Sequence, residues 1–259
     1  MAATKANPIV FFDIASKVGP WSPNTWKTRL ALIYKRIPYR VEYVSYPDIE
    51  PTFKRFGVLP TSDNAPQYTL PVIADPSSDP SKGPTYIANS FKIALYLDDK
   101  YPSPDYPTLF PPGTRALQQV FIERVSSLIL PMAPTMLPLV GQPGFLDDRG
   151  EEYYRRTRQA KFGKSLEQLA EEGHQTWGKV QESWETFGRL LESDTTGPFV
   201  MGTRISYADL VLVAAFCWIK RADGQDGRTW QEIRQWQGGR WGVLWDGVEK
   251  TVGRFYLDV

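Results

Sequence analysis

At 259 residues, 42% hydrophobic and 23% charged, the chain has the length and composition of a folded protein with one large core or two smaller ones. A net charge of +1 gives no basis for nucleic acid or an acidic membrane surface as a partner. The single cysteine, Cys217, excludes an intrachain disulfide and a cysteine-only metal site.

In chain order, Ile9-Val10-Phe11-Phe12 reads as a buried strand. The helical period over about 22–35 puts Trp26, Leu30 and Ile33 on one face. Val41 and Tyr43 alternate with Arg40 and Glu42, as in a half-buried strand. A loop-rich stretch with Pro47, Pro51, Pro60 and Pro66 follows. Residues 70–74 predict a short strand opening at Pro71, and Tyr86-Ile87 predicts another. Asn89 or Ser90 then caps a helix carrying Phe91, Ala94, Leu95 and Leu97. Strand, helix, strand, then a strand pair and a helix, make a small α/β unit over residues 1–99.

Pro102, Pro104, Pro107, Pro111 and Pro112 mark a linker over 100–113, because proline cannot continue a helix. Residues 114–259 read as all-helical. Leu117, Phe121, Val125, Leu128 and Ile129 line one face of a first helix. Pro131, Pro134 and Pro138 require a break or bend after it. A second amphipathic run carries Phe162, Leu166, Leu169, Trp177, Val180, Trp184, Phe187 and Leu191, with an interruption expected at Gly173. Ser206 and Asp209 form a capping-box pattern before the apolar run 210–219. That run is about half the ~20 residues of a membrane span. Met1 to Pro8 lacks the apolar stretch of a signal peptide, so the expected location is cytoplasmic.

The chemistry concentrates where the first strand passes into the first helix, at Trp21-Ser22-Pro23-Asn24. Unpaired N–H groups at a helix start favour an anion, and a hydroxyl sits among them. A thiolate is such an anion. Lowering a thiol pKa of about 8.5 by two units needs roughly 2.7 kcal/mol. A hydrogen bond to the charged form supplies roughly 1.5–3 kcal/mol, and the helix dipole about 0.3–1. Serine followed by proline is also an ordinary helix start, so the structural reading stands beside the functional one. His174 reads as a surface or interhelical residue, and Cys217 as a buried structural thiol. Asp147, Asp148, Glu151 and Glu152, beside Arg149, Arg155 and Arg156, read as a solvated helix start.

Four landmarks in order resemble the glutathione transferases, most closely the fungal class A enzymes and the bacterial β-etherases. They are residues 22–32, Thr69-Leu70-Pro71-Val72-Ile73, the segment 89–97 beginning Asn89-Ser90-Phe91, and Ser206-Tyr207-Ala208-Asp209. The resemblance implies a thioredoxin-like α/β N-terminal domain, an all-α C-terminal domain and a homodimer. It implies glutathione as co-substrate, with no metal, nucleic acid or membrane partner.

Residue by residue, the resemblance assigns Ser22 to the thiolate, with the Asn24 amide beside it. Members that run disulfide exchange carry cysteine at the place of Ser22. It makes the Leu70–Pro71 bond cis, with the Leu70 main chain pairing the cysteinyl backbone of glutathione. Asn89 and Ser90 take the γ-glutamyl end, although the family's commonest residue at the place of Asn89 is glutamate. The glycine carboxylate falls near Thr69, Tyr68 and Gln67, with Lys54 and Arg55 as alternatives. Trp21, Leu130, Met132 and Met136 are the candidate walls of an apolar, aromatic acceptor pocket, and core packing accounts equally well for each of them. The Trp-rich tail either caps that pocket or packs on the helical domain. The implied activity is conjugation of glutathione to aromatic electrophiles, with peroxidase or etherase side activity. Ligandin-type binding of aromatic molecules with weak catalysis and glutathione-dependent cleavage of β-aryl ethers are the alternatives.

Overall fold

The computed structural model describes residues 3–64, 66–77, 79, 81–224 and 227–256. Met1, Ala2 and positions 257–259, at the outer bounds of the two expected domains, lie outside them. The N-terminal part contains β1 (Ile9–Ile14), α1 (Pro23–Tyr34), β2 (Tyr39–Val44), α2 (Ile49–Arg55), β3 (Val72–Asp75), β4 (Thr85–Ala88) and α3 (Ser90–Lys100). The strands form one sheet in the order β2-β1-β3-β4. β1 runs parallel to β2 and antiparallel to β3, and β3 is antiparallel to β4. This is a thioredoxin-like α/β domain.

β1 is apolar at nearly every position because it is covered on both faces. Phe11 meets the Arg29 guanidinium of α1, and Phe12 packs edge-on against Phe53 of α2. The helix α2 replaces part of the expected loop, since Pro51 lies within its first turn, where a missing N–H breaks no bond. Tyr43 is a second departure: it lies on the edge strand β2 and is 50% exposed, not half-buried with Val41.

The helical part contains α4 (Arg115–Ile129), α5 (Ala133–Val140), α6 (Asp148–Phe162), α7 (Leu166–Leu190), α8 (Tyr207–Ala222), α9 (Arg228–Ile233) and α10 (Trp236–Val252). Residues 115–140 are long and apolar enough to span a membrane, yet they fold as two helices joined by a 3-10 turn at Leu130–Met132. Val125, Leu128, Met132, Met136 and Val140 from this stretch are in the core. Leu117 departs from the expected inward face and is 70% exposed.

Gly173 does not interrupt α7. The break falls earlier, at Gly163, which ends α6 in the left-handed region at φ 67°. A Cβ on Gly173 would lie 2.8 Å from the backbone nitrogen of Thr135, so the missing side chain lets α5 approach α7. Trp230, Trp236, Trp241 and Trp245 are all buried in the helical core. Trp241 meets Trp184 at 5.4 Å and Trp230 meets Trp245 at 5.0 Å, so these rings pack the domain.

The two parts are joined by more than the linker. α1 lies against α8, and Trp26 stacks on Tyr256 at 5.8 Å. The acidic cluster is a clasp, not only a solvated helix start. Asp147 caps α6 and accepts from Ser45 Oγ at 2.7 Å. Asp148 pairs with Lys17 at 2.6 Å, and Arg149 pairs with Asp48 at 2.8 Å.

Candidate functional site

The topology gathers four segments at one end of the sheet. Phe12 of β1 pairs with Val72 of β3, and Val72 pairs with Ala88 of β4. The end of β1 that leads toward α1, the Leu70–Pro71 segment that opens β3, and the passage from β4 into α3 therefore lie together. Two helix N-termini, those of α1 and α3, begin there.

At the first, Ser22 is the N-cap of α1 in extended conformation (φ −67°, ψ 130°) and is 4% exposed. Its carbonyl accepts from Trp26 N–H at 3.0 Å and from Thr25 Oγ1 at 3.2 Å. Its hydroxyl makes no capping bond among the described residues, and the first turn of α1 holds no acidic side chain. The first turn of this twelve-residue helix thus supplies no counter-charge to its positive end.

Asn24 is exposed on that first turn, and its Oδ1 accepts from Lys27 Nζ at 3.1 Å. Lys27 is only 8% exposed, and burial pulls its ammonium pKa down to about 8. It pairs with no carboxylate among the described residues. The other buried cations of this segment are paired: Arg29 with Asp13 at 2.8 Å, and Lys35, which follows the last turn, with Asp98 at 2.9 Å.

At the second terminus, Asn89 caps α3 with φ +79° and ψ 123°, a positive φ outside the left-handed helical region. Its Oδ1 accepts from Phe91 N–H at 3.0 Å and Lys92 N–H at 3.2 Å. Both oxygen lone pairs are engaged, which leaves the Nδ2 donors free and makes the residue a poor acceptor for a ligand ammonium. Asn89 N–H donates to the Pro71 carbonyl at 3.3 Å, which ties this terminus to the Leu70–Pro71 bond, itself cis. Ser90 accepts at its carbonyl from Tyr207 OH at 3.0 Å, so α8 also reaches this point.

Gln67 is exposed, and its carbonyl accepts from Thr61 N–H at 2.8 Å. Thr61 Oγ1 and Thr69 Oγ1 lie 3.3 Å apart, and Lys54 Nζ sits 5.6 Å from the Tyr68 ring centre. Lys54 itself is paired with Glu50 at 2.6 Å.

Trp21, next to Ser22, is buried in an aromatic cluster that spans both domains. Its ring lies 5.7 Å from Phe145, and 6.4 Å from both Tyr46 and Tyr154. The Arg158 guanidinium covers Tyr154 at 4.3 Å. Tyr46, Phe145, Tyr154 and Arg158 were not anticipated. The one signal was the Tyr153-Tyr154 pair inside a charged run.

The other three expected wall residues are not alike in burial. Met132 and Met136 are fully enclosed in the helical core, and Leu130 is 64% exposed. They were grouped because they are close in sequence, but the 3-10 turn at Leu130–Met132 rotates successive side chains to different sides. His174 is exposed, and Cys217 is buried, with burial pushing its thiol pKa up.

The glutathione S-transferase N-terminal-domain model matches residues 21–100, and the C-terminal-domain model matches residues 116–250. The chain belongs to the glutathione S-transferase family. The glutathione S-transferase-like protein ustS of Aspergillus flavus is 36% identical, over 95% of this chain and 91% of that protein. The glutathione S-transferase CsGST63524 of Ceriporiopsis subvermispora, solved in complex with glutathione, is 38% identical with a TM-score of 0.82, over 95% of this chain and 98% of that one. Glutathione transferase GSTFuA2 of Phanerochaete chrysosporium is 37% identical with a TM-score of 0.84, over the same shares. Both domains of the family fold are therefore present in this chain, the α/β domain with its four-stranded sheet and the helical domain.

Proposed function

We propose that this family member is a serine-type glutathione transferase, related to the fungal class A enzymes, that adds glutathione to apolar aromatic electrophiles. The observation that carries this reading is the buried Ser22 hydroxyl, uncommitted at the N-terminus of α1 with no acid beside it. In this reading Ser22 donates to the glutathione sulfur and the Asn24 amide adds a second donor. The Leu70 main chain pairs the cysteinyl backbone. Ser90 and the first turn of α3 hold the γ-glutamyl carboxylate, and Gln67 lies toward the glycine end. No general base is required, because stabilising the thiolate in place lowers the barrier to attack on an acceptor held beside it.

The aromatic cluster around Trp21, beside Ser22 and between the two domains, supports the choice of aromatic acceptors. The same cluster supports a ligandin-type role as a second reading, in which aromatic molecules bind without turnover. A β-aryl ether belongs among the acceptors to be assayed. The reading includes a cytoplasmic homodimer, for which the exposed Leu117 and Val120 on α4 offer an apolar face.

The test is Ser22→Ala. A hydrogen bond to a charged group is worth roughly 1.5–3 kcal/mol, so turnover of an aryl halide falls by roughly ten- to a hundred-fold. Glutathione affinity, measured by calorimetry, changes by less than about threefold, since the peptide contacts remain. Turnover near the wild-type level refutes the role of Ser22. Tight binding of aromatic ligands by a wild-type protein that turns over no acceptor favours the ligandin reading.

A further inference from the structure

Three cations of the α1 segment are buried, and two of them have a buried carboxylate partner. Among the described residues Lys27 has only the Asn24 amide oxygen, at 3.1 Å. A buried ammonium facing a single neutral acceptor is an expensive arrangement, and an apolar side chain of the same length would avoid that penalty. Burial alone shifts its ionisation, and no carboxylate or second cation among the described residues contributes. Among the described residues the charge is therefore uncompensated, on the same helical turn as Asn24 and one turn from Ser22.

The contact also decides which way the Asn24 amide points. An ammonium has donors and no acceptor, so the atom facing Lys27 must be Oδ1, and Nδ2 with its two donors is turned the other way. Without Lys27 the amide is free to flip, and the oxygen would then oppose an anion at the helix start.

We propose that Lys27 is a positioning residue for the thiolate: it locks Asn24 with its donors outward and supplies the positive charge that a bound sulfur anion balances. This rests on the transferase reading above. Lys27 acts through Asn24, and the anion it awaits is the sulfur that meets Ser22 and Asn24. Arg29 and Lys35 carry no such role, since Asp13 and Asp98 already neutralise them.

The experiment titrates the thiolate absorbance of bound glutathione in wild type, Lys27→Met, Lys27→Arg and Ser22→Ala. An opposite charge acting across one amide lowers a thiol pKa by about one unit, so Lys27→Met raises it by that amount, from about 6.5 to about 7.5, and cuts thiolate at pH 7 about threefold. Turnover drops in proportion while glutathione KM changes less than about threefold, the split expected when ionisation and not binding is lost. Lys27→Arg keeps the charge and restores the wild-type titration.

A merely structural lysine would alter stability and leave the titration in place. If glutathione bound to Lys27→Met titrates within about 0.2 unit of wild type, the proposal is overturned. If Ser22→Ala leaves the titration unchanged and Lys27→Met shifts it, the serine role falls and the Lys27 role stands. If wild-type protein binds no glutathione, both fall.

Discussion

Two serines begin two helices that pack against each other, α1 and α8, and they are used in opposite ways. Ser206 at the start of α8 is fully committed: its N–H donates to Asp209 Oδ2 at 2.8 Å and its hydroxyl donates to the same oxygen at 3.0 Å. Asp209 Oδ1 takes Val200 N–H at 2.7 Å. Every polar group at that buried start has a partner, and Tyr207 N–H reaches across to the Leu109 carbonyl at 2.9 Å. Among the described residues, Ser22 at the start of α1 leaves its hydroxyl free, and nearby Lys27 leaves a charge unbalanced. A completed cap holds a domain together, whereas an incomplete one keeps donors available for something that arrives later.

The largest effect should come from breaking the completed cap. Asp209→Ala strands two backbone N–H groups and a hydroxyl in the core, at about 1–3 kcal/mol each, for a loss of roughly 3–5 kcal/mol in urea unfolding. A loss under about 1 kcal/mol would mean the cap is not what anchors α8.

The same carboxylate carries a pH signature. Burial raises its pKa to about 6, against the hydrogen bonds that oppose the shift. The folded state thus holds the proton more tightly than the unfolded state. The stabilisation is full below the unfolded value near 4 and is lost as pH rises through 6. Wild type measured against Asp209→Asn should lose up to about 3 kcal/mol of relative stability between pH 4 and 7.

Much of this contrast can be read in the chain itself. The third residue of α8 is Asp209, and the third residue of α1 is Thr25, so only one of the two serines has a carboxylate at capping distance. The order of strands and helices was likewise legible, because β1 opens on the apolar run Ile9 to Phe12 and α1 and α7 keep a helical period. What the sequence does not reveal is pairing at a distance. Lys27, Arg29 and Lys35 look alike as a basic run, and only the fold brings Asp13 and Asp98 to two of them and, among the described residues, nothing acidic to the third. Trp21 finds its partners Phe145 and Tyr154 more than a hundred residues away, on and just before α6, which composition alone marks as a charged surface. Met132 and Met136 are buried in the core, a placement the sequence leaves open because apolar residues at a broken helix serve a core and a pocket equally well.

The second effect sharpens the comparison from the α1 side. A lysine whose pKa falls from 10.5 to about 8 on folding destabilises the folded state by roughly 3 kcal/mol at any pH below 8. As pH rises from 8 to 10.5 the unfolded chain still holds the proton that the folded chain has released, so wild-type stability climbs across that window. Lys27→Met should therefore unfold at higher denaturant than wild type at pH 7, by about 2–3 kcal/mol, and the gap should close by pH 10.5. A destabilised Lys27→Met would show that the ammonium already has its counter-charge within the protein.

The smallest effect is the most diagnostic. Ser206→Ala removes a hydroxyl that donates in the core and exposes part of a buried carboxylate's demand, and should lower stability by about 1–2 kcal/mol. Ser22→Ala removes a hydroxyl that bonds nothing among the described residues, and should change stability by less than about 0.5 kcal/mol. Parallel unfolding curves of the two variants measure the difference directly. If Ser22→Ala is as destabilising as Ser206→Ala, the Ser22 hydroxyl is an ordinary cap and the asymmetry between the helices vanishes. If it is neutral in stability while turnover collapses, the same atom is idle in folding and indispensable in chemistry, which is the pattern expected of a group held back for a ligand.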